Sequence, residues 1–121
     1  MEINKFLNAE IDTMIKKMEM YRIYQRKVEG LQIILDQLND SETKEKYVVE
    51  EMNLTKAKMR EVNTIIDLVL DEEVKDYLVK HYIEGVPFEV LSTEKFCSRN
   101  KMFYNIRKEL RKIICKDFYK K

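Results

Sequence analysis

Residues that bend or break a backbone are scarce in this chain. Two glycines and one proline among 121 residues are far below average usage, and they argue against a sheet fold with its many reversals. Cysteine is scarce too. Cys97 and Cys115 stand 18 positions apart with no CxxC spacing and no neighbouring histidine, which suits reduced, partly buried thiols rather than a disulfide or a metal site. The one histidine, His81, follows Lys80 in a charged stretch, so solvent exposure or a phosphate contact is expected of it rather than catalysis. No Gly-rich phosphate loop, spaced set of carboxylates or nucleophile with its base is visible, and neither enzymatic activity nor a cofactor is expected. The acidic clusters Glu50-Glu51 and Asp71-Glu72-Glu73 read as solvated faces or helix N-terminal charges, and no metal is expected. Nowhere do about 18 apolar residues run consecutively, as a membrane span needs. The opening Met1-Glu2-Ile3-Asn4-Lys5 lacks the basic region and apolar run of a secretory signal, and a cytoplasmic protein is expected.

What is present is 45% hydrophobic and 37% charged residues, a balance that points to long charged helices and an all-α fold. The length allows one compact unit. Charge is unevenly spread. Residues 1–70 hold 11 cations against 13 carboxylates, whereas residues 95–121 hold 10 cations against only Glu109 and Asp117, a net of +8. Such a block suits a polyanion.

Apolar residues at Leu7, Ile11, Met14, Met18 and Tyr21 step by four and three, and after a slip near Gly30 the rhythm returns at Leu31, Leu35 and Leu38. Asn39-Asp40-Ser41 breaks it, with Asn39 and Glu42 in the form of a helix N-terminal cap. A second stripe follows at Val48, Met52, Thr55, Met59, Val62, Ile66 and Val69. Two such stripes joined by a short turn predict an antiparallel helical hairpin over residues 1–70. Off the stripes, Ile23, Tyr24 and Ile33 on the first helix and Leu54, Ile65 and Leu68 on the second form another apolar surface. A second copy of the chain, giving a homodimer, is the favoured cover for it, with RNA polymerase or a modulating protein as alternatives.

Residues 71–121 read as a separate unit. Asp71-Glu72-Glu73 suits the positive end of a helix, Val74, Tyr77, Leu78 and Tyr82 share a face, and Gly85 is placed for a left-handed cap. Pro87 fits the first turn of a short helix to about Thr93, with Phe88 and Leu91 buried. After Lys95-Phe96-Cys97, Ser98 is a good N-cap for a helix that buries Met102, Phe103, Ile106, Leu110 and Ile113. Three helices of these lengths make a helix-turn-helix unit. The last of them turns Arg99, Asn100, Lys101, Tyr104, Asn105 and Lys108 outward, with Arg107, Arg111 and Lys112 nearer its flanks. Asn pairs in bidentate fashion with adenine, and Arg and Lys with guanine, so Asn100 and Lys101, near the end that meets a duplex first, are the expected base readers. The expected DNA-binding set is Lys95, Ser98, Arg99, Asn100, Lys101, Tyr104, Asn105, Arg107, Lys108, Arg111 and Lys112.

The run from Tyr77 to Leu91, followed by Cys97-Ser-Arg-Asn-Lys-Met-Phe-Tyr-Asn-Ile-Arg-Lys-Glu-Leu110, resembles region 4 of sigma-70-type factors. With a helical hairpin ahead of it, the layout is similar to small phage and prophage regulators of the ArpU, RinA and LtrC kind. The resemblance covers residues 71–113 by motif and the remainder by architecture. It implies a sequence-specific regulator bound to double-stranded DNA in the bacterial host cytoplasm, activating late genes for packaging, structure and lysis. A small terminase subunit and a protein-binding regulator are the competing readings. Two departures stand out: Lys95-Phe96 replaces the usual glycine before the recognition helix, and Ser92 replaces a common alanine.

Overall fold

A computed structural model describes residues 2–38 and 42–119, with backbone only for residues 42 and 117–119. Among these residues every regular element is helical. The chain forms α1 (Glu2–Glu19), α2 (Tyr21–Gln37), α3 (Glu42–Leu68), α4 (Glu72–Leu78), α5 (Phe88–Glu94) and α6 (Arg99–Tyr119), with a π-helical turn, Val79–Ile83, directly after α4. The expected cap at Asn39 lies outside the described residues.

The four-three stripes become the seam between helices. Leu7, Ile11, Met18 and Tyr21 are buried, as are Val48, Met52, Thr55, Val62, Ile66 and Val69, and Met14 and Met59 are half-buried. Thr55 tolerates burial because its hydroxyl donates to the carbonyl of Glu51, one turn back, at 2.8 Å. Lys17 pairs with Glu61, and Lys27 with Glu51 at 3.3 Å. Ten residues forward on α1–α2 is therefore ten back on α3, an antiparallel register. The first helix is not one rod, however. It is interrupted at Met20, whose N–H is shared between the carbonyls of Lys16 and Lys17 at 3.2 Å each. Beyond that break α2 packs chiefly on α3, with its start beside the π turn, while α1 also lies along α6.

Local chemistry sets the remaining boundaries. Asp71 caps α4, its Oδ1 accepting from the N–H groups of Glu73 and Val74 at 2.9 and 3.0 Å. Gly85 ends the π turn at φ 80°, a conformation that a Cβ would strain. The Arg22 guanidinium also lies where that Cβ would go. Pro87 stands one residue before α5, as its cap rather than within its first turn. The turn into α6 is closed by Ser92, whose hydroxyl donates to the carbonyl of Cys97 at 2.7 Å. Ser98 Oγ then accepts from the N–H of Lys101 at 3.2 Å, and α6 begins.

One core joins these parts. Ile11, Met18, Val62, Ile66 and Val69 share a cluster with Val74, Tyr77, Leu78, Leu91, Met102, Ile106 and Leu110, so burial crosses residue 70 without a gap. Burial raises the pKa of both core tyrosines. For Tyr77 the hydrogen bond it donates to Glu73 adds to that effect, and Tyr82 is pushed up to about 12, with Glu19 nearby adding to it.

Three expectations need correction. Phe103 is 43% exposed rather than buried, because α6 turns it toward a shallow edge where its ring meets Phe88 edge-on at 4.8 Å. Ile65 is buried, not surface, since the lower half of α3 has α1 and α4 beside it as well as α2. His81 is half-buried rather than solvated. Its ring stacks on Phe88 at 3.6 Å and its Nδ1 lies 2.8 Å from the carbonyl oxygen of Val86.

Candidate nucleic-acid interface

The site is one face of α6. At 100° per residue, the buried residues Met102, Ile106, Glu109, Leu110 and Ile113 occupy one side, and Asn100, Lys101, Tyr104, Lys108 and Arg111 fall opposite. All five of the latter are exposed, Tyr104 to 67%. The side chains of Asn100, Lys101, Tyr104, Asn105 and Lys108 have no hydrogen-bond or ion-pair partner among the described residues. A row of this kind presents donors, acceptors and an aromatic edge to whatever approaches.

The other expected residues are engaged within the chain. Arg107 is half-buried and bonds Asp12 of α1 at 2.8 Å, and Arg111 donates to Asn4 Oδ1 at 2.9 Å. α1 thus lies against one flank of α6. A groove of about 260 Å³ runs there between Asn8 and Ile11 on one side and Tyr104, Arg107, Lys108 and Arg111 on the other. Arg99 stands 3.5 Å from Glu89 of α5. Lys112 bonds Glu109 at 2.8 Å. Lys95 is tied to Asp76 of α4 at 2.8 Å, which raises its pKa. The expected set therefore divides into an unpartnered row, an arginine pair on the α1 flank, Arg99 and Lys112 paired with Glu89 and Glu109, Ser98 used as the cap of α6, and Lys95 fastened behind the turn.

Sequence reasoning did not single out Glu109, and it matters to this face. It is 4% exposed, yet both its oxygens are used: Oε1 accepts the N–H of Asp71 at 3.1 Å, and Oε2 accepts from Lys112. A buried carboxylate needs such partners, and here they tie the back of the basic helix to the N-terminus of α4. Its spacing from Met102, Ile106 and Ile113, four-three-four on the buried face, was the available signal.

Comparison with protein-family models, curated proteins and solved structures finds no match to this chain. Among the described residues, no helix is long and apolar enough to cross a membrane.

Proposed function

We propose that the chain is a sequence-specific DNA-binding regulator of transcription, with α4, α5 and α6 forming a helix-turn-helix unit and α6 as its reading helix. The observation that carries this reading is the row Asn100, Lys101, Tyr104 and Lys108, exposed and unpartnered on a helix whose opposite face is fixed in the core. Side chains that already had partners would have to break them to reach a base edge or a phosphate. These do not. Ser98 fixes where α6 starts, and on this reading the first exposed turn, with Asn100 and Lys101, enters a major groove. The resemblance of residues 71–113 to sigma-70 region 4 supports the helix-turn-helix reading, and the similarity of the whole layout to phage regulators of the ArpU, RinA and LtrC kind supports the finer one, an activator of phage late genes.

Phosphate contacts would come from the exposed cations of α6: Lys101, Lys108 and Lys116 as they stand, and Arg99, Arg111 and Lys112 by exchanging their partners Glu89, Asn4 and Glu109 for phosphate. If about five of them neutralise phosphates, log affinity falls with log salt at a slope of about −4.5 per bound chain. Fluorescence anisotropy of the intact protein with a labelled duplex, between low and physiological salt, measures this slope. Binding that does not change with salt, or no binding at low salt, would overturn the proposal.

A further inference from the structure

The part of the α2–α3 pair that extends from the shared core has an apolar face of its own. Ile23 is 51% exposed, Leu54 60%, Tyr47 65% and Ile34 47%. The antiparallel register fixed by Lys17–Glu61 and Lys27–Glu51 places Lys27 level with Glu51, and Ile23 and Gly30 within one residue's rise of Leu54 and Tyr47. Each of these six residues immediately precedes one turned further inward: the half-buried Tyr24, Val28 and Leu31 on α2, where Tyr24 lies on the seam side and not off the stripe as its spacing suggested, and the buried Val48, Met52 and Thr55 on α3. One step back along an α-helix is a rotation of 100°, and in antiparallel neighbours that rotation brings both flanks to the same side of the pair. The six residues therefore form three layers on a single face.

Gly30 is the unexplained member. It lies inside α2, is exposed, and a Cβ added to it would meet nothing within 4 Å. A glycine weakens a helix interior, and nothing within the single chain makes use of the missing side chain. A second helix surface packed against it would.

We propose that this face binds a second copy of the chain, two hairpins packing about a two-fold axis parallel to their helices so that α2 of each protomer lies against α3 of its partner. The layers are self-complementary under that operation. Ile23 meets the partner's Leu54. Lys27 meets the partner's Glu51, so that the two existing ion pairs close into a ring of alternating charge. Gly30 receives the ring of the partner's Tyr47, large against small. Every neighbouring pair in the resulting four-helix arrangement is antiparallel. A face meant for an unrelated protein has no reason to match itself in all three layers.

The inference stands apart from the DNA-binding reading, and its test contains no DNA. Sedimentation equilibrium of the intact chain at micromolar concentration is expected to give the mass of a dimer. Gly30→Leu, which an isolated helix accepts readily, is expected to raise the dimer dissociation constant by about 30-fold or more while helicity and melting temperature do not fall. Lys27→Glu and Glu51→Lys, each of which puts four like charges in the central layer, are expected to sediment as monomers separately. Mixed in equal amounts they are expected to return the dimer mass, because both contacts between protomers again pair opposite charges, and the like pair that remains within each protomer is present in its monomer too. If a charge change unfolds the chain, as circular dichroism would reveal, Gly30→Leu carries the test by itself. A wild-type monomer throughout the concentration range overturns the proposal. So does a dimer that Gly30→Leu leaves within twofold of its original strength, and so does a mixture of folded charge variants that stays monomeric.

Discussion

Phe96 is held at φ 51°, in the left-handed region, with its ring 97% exposed. A residue with a Cβ loses about 1–2 kcal/mol in that conformation, and a ring that touches nothing gives none of it back. Glycine at this position would remove the strain at a cost of about 0.5–1 kcal/mol in unfolded-chain entropy. Phe96→Gly is therefore expected to raise stability by up to about 1 kcal/mol in urea unfolding, and a loss of stability would show that the ring has a packing role. The sequence marks this turn only by Lys95-Phe96 in place of the usual glycine; the strain itself lies in the backbone angle of Phe96. Phe103 was not legible in the same way, because it keeps helical spacing with Ile106 and Leu110 and only the arrangement of α1, α5 and α6 decides which edge of that stripe stays wet. His81 shows the same limit. In sequence it follows the charged Lys80, and its stacking partner Phe88 reaches it only through the reversal at Gly85.

Between elements, polar contacts fix what apolar spacing leaves loose. Asp76 joins α4 to the turn before α6, with Lys95 at 2.8 Å and Lys80 at 3.4 Å. The hydrogen bond from Lys95 is the main reason its carboxyl titrates below the ordinary 3.8; desolvation opposes this, and Lys80 assists. A carboxyl depressed in the folded state stabilises the fold at pH above the unfolded value, and that contribution is lost as pH falls through the folded value. Asp76→Asn is therefore expected to be less stable than the wild type at pH 7, with the difference narrowing below about pH 4. Urea unfolding at the two pH values checks it; a difference that stays constant would mean that Asp76 acts through shape rather than charge. The four-three stripes of α1, α2 and α3 were readable because their partners lie close in sequence and repeat regularly. The π turn at Val79–Ile83 was not, since the carbonyl-to-amide spacing of a helix leaves no mark on which residues are apolar.

Across the whole molecule, the sequence suggested a hairpin followed by a basic unit, and the structure adds a joint between them. Asp12 reaches Arg107 and Asn4 reaches Arg111, contacts between the two ends of the chain that no local pattern encodes. They hold α1 against one flank of α6 and leave the row from Asn100 to Lys108 as its open side. The charge run from Lys95 onward pointed to this helix, but not to which of its cations are already bound within the chain. If the open row reads bases, Asn100 and Lys101 should specify sequence while the cations further along α6 hold phosphates, each base contact being worth about 1–3 kcal/mol of discrimination. Selection of duplexes from a random pool, with the intact wild type and the Asn100→Ala/Lys101→Ala double variant in parallel, tests this most directly. The wild type is expected to enrich a defined motif, and the double variant to bind duplex DNA still but to lose preference at particular positions of that motif. Enrichment of the same motif by both proteins, or of none by the wild type, would contradict it.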